Sequence, residues 1–176
     1  MAGKWRVAVA SIAMGAIALS ACSTSASTST TQHTTAPVKL PALNPTAAIA
    51  QINTVFTTVF NGANNDIAAK AGYIQGGSQI VASMTKDLSI MPAGLGAQVT
   101  SVTFPSASTC SQESLSSPCA KVNYSLVSNT KGKLTTLETS AGFAVEVAGG
   151  RWLMSKQTMC SLLSLASGGA APAGCG

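Results

Sequence analysis

Apolar residues recur at helical spacing in the first half of the chain and at alternate positions in the second. Ile49, Ile52, Phe56, Val59 and Phe60 fall three or four apart, one stripe along a helix. Asn44-Pro45 opens that helix, Asn as N-cap and Pro at the first helical position, and Asn61-Gly62 closes it. A second, short helix is expected from near Asp66, with Ile67, Ala71 and Ile74 on one face and Gly76-Gly77 as its break. Ser78 is the expected cap of a third, which turns Ile80, Met84 and Leu88 inward; Pro92 and Gly94 end the helical half. The period then falls to two. Val102 and Phe104 alternate with polar neighbours, and so do Val122, Tyr124 and Leu126. Leu134 to Leu137 begins a further strand, which Phe143, Val145 and Val147 either continue or follow as a separate one. Gly149-Gly150 joins Val147 to Trp152 as a two-residue hairpin, a turn whose central residues need positive φ. After Ser155 the helical period returns in Met159, Leu162, Leu163 and Ala166, up to Gly168-Gly169. Segregated helices and strands imply an α+β fold: N-terminal helices on one face of a curved antiparallel sheet, and a short C-terminal helix.

The first residues follow another logic. Met1 to Arg6 holds two cations and no acid, and Val7 to Leu19 is apolar, as in a secretory signal. That run is shorter than the roughly 20 apolar residues a membrane-spanning helix needs. Leu19-Ser20-Ala21-Cys22 resembles the bacterial lipobox. The resemblance implies a diacylglycerol on the Cys22 thiol and cleavage just before it, with the acyl chains as the hold on the membrane. The plainer alternative is an ordinary signal, cleaved after Ala21. Ser23 to Thr35 is almost entirely Ser, Thr and Ala, and Pro37, Pro41 and Pro45 follow. Such a composition cannot bury a core and reads as an extended tether, open to O-linked sugars. Three parts follow: residues 1–21 as signal, 22–43 as tether, and 44–176 as one folded domain.

Only 9% of the chain is charged, against about a quarter in ordinary domains, so its surface is polar but nearly uncharged. The cations beyond the signal are scattered: Lys39, Lys70, Lys86, Lys121, Lys131, Lys133, Arg151 and Lys156. Nucleic-acid binding would gather them on one face among aromatics, so no nucleic-acid partner is expected. Lys131-Gly132-Lys133 is the densest spot and reads as a solvated turn.

With Cys22 assigned to lipid, four cysteines remain in an exported chain: Cys110, Cys119, Cys160 and Cys175. Four cysteines allow three pairings, of which local pairing is favoured. Cys110 and Cys119 flank a short polar stretch, and Cys160 lies in a helix followed by a Gly/Ala/Pro tail that Cys175 can fasten. Each closure adds about 2–3 kcal/mol in the chain-entropy model. A metal or redox site fits poorly, since there is no C-x-x-C and no histidine near these thiols. No metal and no cofactor is expected.

Catalytic chemistry is sparse. The single histidine, His33, lies in the tether. Asp66, Asp87, Glu113, Glu138 and Glu146 are spread along the chain with no evident pairing. No Gly-x-Ser-x-Gly elbow occurs, and Gly76-Gly77-Ser78 lacks the Gly-Lys ending of a phosphate loop. The chain is therefore not expected to be an enzyme. Tyr73, Met84, Phe104, Tyr124, Phe143 and Trp152 are core fillers first and candidate pocket-wall residues second.

The stretch from Gly149-Gly150-Arg151-Trp152-Leu153-Met154-Ser155-Lys156 to Met159 and Leu162-Leu163, with the Leu43-Asn44-Pro45 helix entry, resembles the low-molecular-weight antigen Mtb12 family. The likeness covers roughly residues 40–168, and its tail is the specific part. It implies an NTF2-like, cystatin-like cone of helices in a curved sheet, and an actinobacterial envelope or secreted location. The lipobox and the four further cysteines depart from the family pattern. The family brings no catalytic residue by position. The expectation is a lipid-anchored, extracytoplasmic, non-catalytic protein whose cone binds an apolar small molecule, a lipid or an envelope protein. The alternatives are an interaction module with a filled core and, third, an isomerase or hydrolase on the NTF2-like scaffold.

Overall fold

The computed structural model describes residues 44–88 and 92–176. The signal, Cys22, His33 and the tether lie outside the described residues. Asn44 caps the first helix, α1 (Pro45–Val59), its side-chain oxygen accepting from the Ala47 N–H at 3.2 Å. Ile52, Val55, Phe56 and Val59 are its buried face. The helix closes differently from expectation, because Gly62 is not a left-handed stop. Its N–H donates to the Leu95 carbonyl at 2.9 Å, and any Cβ there would run into the Pro92 carbonyl oxygen.

The second helix, α2 (Ile67–Ala71), is capped by Asp66, which accepts from the Ala69 N–H at 2.9 Å. It ends before Ile74. Gly72-Tyr73 instead carries the chain to the sheet edge, where Ile74 bridges Met154 in parallel. Ser78 does not cap a helix either: it sits inside a 3-10 turn (Gly77–Gln79) that leads into α3 (Val81–Leu88). Ile80 and Met84 are fully buried as expected.

Four strands form one antiparallel sheet in chain order: β1 (Leu95–Thr103), β2 (Cys119–Thr130), β3 (Lys133–Val147) and β4 (Arg151–Met154). Leu134 and Val147 therefore belong to a single strand. The last hairpin turns through three residues, Ala148 to Gly150, rather than two, with Gly149 and Gly150 left-handed at φ 86° and 75°. Irregularities between Val99 and Ser101 in β1, and opposite Leu126 and Val127 in β2, interrupt the ladder where bulges bend a sheet. Between β1 and β2 lies a helix the periodicity missed, α4 (Ala107–Gln112), capped by Ser106. Its Ala-Ser-Thr-Cys-Ser-Gln sequence carries almost no apolar signal. The last helix, α5 (Lys156–Ala166), is capped by Ser155, whose hydroxyl accepts from the Thr158 N–H at 3.1 Å.

Alternation along the strands builds two cores. Ala120, Val122 and Tyr124 of β2, with Ala144 of β3, join the helical residues Ile52, Phe56, Met84, Met159 and Leu163 in the main cluster. Tyr124 is fully buried, stacked on Phe60 at 5.4 Å between ring centres and tilted against Phe56 at 5.1 Å. Its hydroxyl completes no well-formed hydrogen bond, although Ser140 stands beside it. Burial pushes the phenol above its ordinary ionisation range, Ser140 works against that, and the charge of Glu138 adds to it. Residues of opposite parity, Cys119 and Val145, meet Cys110 and Leu115 in a smaller cluster.

Both expected disulfides are present, Cys110–Cys119 and Cys160–Cys175, with Cα separations of 5.9 and 5.7 Å. The second fastens the tail. The Ser83 hydroxyl donates to the Ala173 carbonyl at 3.0 Å, and Gly174, at φ 81°, lies so close to the Gln79 carbonyl that no side chain fits.

Candidate functional site

The sheet edge at β4 is where polar and aromatic groups converge. β4 pairs with β3 on one side only, and on the other it is partly covered by other elements. The Met154 N–H donates to the Tyr73 carbonyl at 2.9 Å, and the Gln75 N–H donates to the Met154 carbonyl at 2.8 Å. Two residues further back, the Trp152 N–H donates to the side-chain oxygen of Gln51, on α1, at 3.2 Å. A side chain thus substitutes for a neighbouring strand, and the backbone of the segment before the 3-10 turn runs on from Tyr73. The space between these two coverings is a cleft of about 450 Å³, within the size range of small-molecule sites.

Its wall is mixed. Trp152 and Leu153 form the strand side, Val55 and Thr54 the α1 side, and Tyr73 the rim. Trp152 is 2% exposed and stands edge-on to Phe104, ring centres 5.7 Å apart, which holds the indole in one orientation. Arg151 follows the Gly-Gly turn and is exposed, whereas Trp152, Leu153 and Met154 after it are all buried. Arg151, Gly72 and Leu153 also line a neighbouring hollow of about 460 Å³ walled by Ala68, Ala71, Ile74 and Val81. The guanidinium-bearing residue is therefore shared by two largely apolar recesses. A wider hollow of about 690 Å³ lies beside α5 and the tail, walled by Leu115, Leu165, Ala171, Pro172 and the Cys160–Cys175 bridge together with Ser, Gln and Lys side chains.

The six aromatic and Met candidates do not share one wall. Tyr73 and Trp152 meet in the cleft. Phe104 backs Trp152 from behind. Met84 and Tyr124 are wholly buried in the main core, and Phe143 packs on the smaller cluster around Cys110–Cys119. Tyr73 also departs from its reading as a core filler. It is 36% exposed, because α2 stops two residues before it and the chain is drawn to the sheet edge. The space between α1 and the sheet, where the cone reading put a pocket, is filled by Ile52, Phe56, Val122 and Tyr124.

Gln51, Thr54 and Arg151 were not singled out as site residues. Gln51 looks like any solvated helix position, and only the register of α1 against β4 gives it a partner. Lys70 is one of the cations scattered along the sequence, yet it is buried. Its ammonium donates to the Asn61 carbonyl at 2.8 Å, and burial pulls its ionisation below the usual lysine range.

The acids have local roles. Asp66 caps α2, and Asp87 accepts from the Ser167 hydroxyl at 3.2 Å. Glu138 and Glu146 are both carried by β3. Among the described residues, no group of three or more His, Cys, Asp or Glu stands where it could hold a metal ion. Among the same residues, no helix is long and apolar enough to cross a membrane.

Compared with known proteins, residues 44–170 match the family described as low molecular weight antigen MTB12, C-terminal domain. No curated protein and no solved structure matches the chain.

Proposed function

This chain belongs to the low molecular weight antigen MTB12 C-terminal domain family over residues 44–170, and from that premise we propose that it is a non-catalytic binding lipoprotein of the cell envelope. The observation that carries the binding half is the cleft beside Trp152, where an apolar wall meets an exposed arginine. Such a site suits an amphiphile with an acyl or similarly apolar body and an acidic head. The body would lie against Trp152, Leu153 and Val55. The head would take the Arg151 guanidinium, a planar fork of donors suited to carboxylate or phosphate.

Trp152 makes the test direct, since the other tryptophan, Trp5, lies in the signal segment. Titrating the chain from Ser23 onward with palmitate should give a saturable change in Trp152 emission. Arg151→Ala and Tyr73→Ala should each weaken binding at least fivefold, Arg151→Ala without moving the unfolding midpoint, because that side chain is exposed. No emission change, together with no apolar molecule recovered from the purified protein, would leave an interaction module. The filled space between α1 and the sheet favours that second reading.

The location half of the proposal rests on Leu19-Ser20-Ala21-Cys22. A diacylglycerol on Cys22 would hold the domain outside the cytoplasmic membrane at the end of its Ser/Thr tether. Cys22→Ala should move the protein from the membrane fraction to the soluble one. Continued retention of a chain from which residues 1–21 have been cleaved would refute the anchor.

A further inference from the structure

The ribbon formed by β2 and β3 runs past the rest of the sheet. β1 follows β2 as far as Ser128, the Asn129 N–H donates to the Gly94 carbonyl at 2.7 Å, and β4 pairs with β3 only from Ala144 to Val147. What remains is a short arm, the β2–β3 turn from Thr130 to Leu134, beyond which β3 runs on along an edge that β4 leaves unpaired; every residue from Lys131 to Thr139 is exposed. Three features of this arm are unlike the rest of the surface.

The first is apolar. Leu134 is 56% exposed and Leu137 58%. They are three positions apart, and Leu137 is the extra residue at the bulge opposite Leu126 and Val127. Single exposed leucines are ordinary, but here one stands beside the turn and a second three positions along the stretch of β3 that β4 leaves unpaired. The second is charge. Lys131 sits in the turn and Lys133 follows it, and the first acid along β3 is Glu138. The third is backbone. Lys131 has φ 52° and Gly132 φ 80°, a turn with both central residues left-handed. Asn or Gly suits the first of these positions, whereas a long side chain is disfavoured there. The arm keeps a cation at its very end in spite of that local cost, a pattern more often met at functional positions.

We propose that this tip is a membrane-contact surface, in which Lys131 and Lys133 engage anionic headgroups while Leu134 and Leu137 enter the acyl boundary. The lysine stems can lie along the apolar layer with their ammonium groups in the headgroups. Contact with lipid also covers a strand edge that otherwise invites pairing with a second copy. The contact needs neither the Cys22 anchor nor the cleft, and the three would act on the same membrane at different points.

The test uses the chain from Ser23 onward, which lacks the lipidation site but keeps the compact unit Pro41–Gly176 whole. It is sedimented with vesicles of equal phosphatidylglycerol and phosphatidylcholine, and with phosphatidylcholine alone. Binding is expected to the anionic vesicles, weakening as salt rises. Lys131→Asn and Lys133→Gln should each weaken it about fivefold, and the Leu134→Ser/Leu137→Ser double variant at least tenfold. Lys121→Gln, a cation near the other end of β2, should change nothing. All four altered side chains of the tip are exposed, so unfolding midpoints should stay with the wild type, and Lys131→Asn fits its turn better. Equal binding by wild type and both sets of variants, or equal binding to uncharged vesicles, overturns the proposal. Self-association lost in the leucine variant, with no vesicle binding, overturns it too and assigns the tip to a second copy of the chain.

Discussion

Reducing both disulfides should lower the unfolding free energy by about 5–6 kcal/mol, the sum of two loop closures in the chain-entropy model. The cysteines of each pair are 9 and 15 residues apart, which gives the Cys160–Cys175 bridge the slightly larger share, about 3 kcal/mol. Domains of this size are stable by only about 5–15 kcal/mol, so the reduced protein would keep little of its margin. The two bridges have different structural consequences. Cys110–Cys119 ties α4 to the first residue of β2 and centres the smaller core. Its loss should expose Leu115 and Val145 together with both thiols. Cys160–Cys175 closes the tail over α3 and α5, and its loss should free the Ala173 carbonyl from Ser83. Urea unfolding with and without thiol, beside Cys110→Ala/Cys119→Ala and Cys160→Ala/Cys175→Ala, separates the two. An unchanged midpoint in reductant, or alkylation of all four thiols without reductant, would contradict the assigned bridges.

Phe56→Ala should cost about 3–5 kcal/mol, as for other buried phenylalanines cut back to alanine. Phe56 is fully buried, and its ring meets Tyr124 at 5.1 Å and Phe60 at 6.4 Å. Removing the ring leaves a void between a helix and a sheet that are held at their spacing by Ile52, Val59 and Val122 around it. The neighbourhood can therefore collapse little, which places the cost in the upper part of that range. It also takes a packing partner from Tyr124, whose buried hydroxyl already lacks a good hydrogen bond. Leu165→Ala is the matching control: at 73% exposed it should shift stability by less than about 0.5 kcal/mol. Chemical unfolding of the two variants decides the matter, and equal midpoints would mean that the α1–sheet interface is not the main core.

Features that depend on a few neighbouring residues were legible from the chain. Asn44-Pro45 sets the start of α1, Ser155 that of α5, and Gly149-Gly150 the last hairpin, because each acts through backbone groups within three or four residues. The α+β order and both disulfide pairings were within reach for the same reason, since they rest on period and short separation. Helix α4 was not legible. Its apolar content is a single alanine and a cysteine, so its one strong cue is the Ser106 cap. The candidate site was half legible: Trp152 and Tyr73 stood out as large aromatics, but nothing local to Gln51 or Arg151 tells which solvated side chain faces a cleft.

Local chemistry along the chain thus accounts for where elements begin and turn, and for which residues prefer burial. The packing of elements on one another accounts for the rest: Gln51 of α1 satisfying Trp152 at the edge of β4, Tyr73 drawn out to the rim, Gly62 pressed against Pro92, and Lys70 closed over Asn61. Each of these pairs distant backbone or side-chain groups whose proximity has no trace in spacing or period. Buried polar groups take whichever partner the packed elements bring within reach, and that is settled only when helices and sheet close on one core.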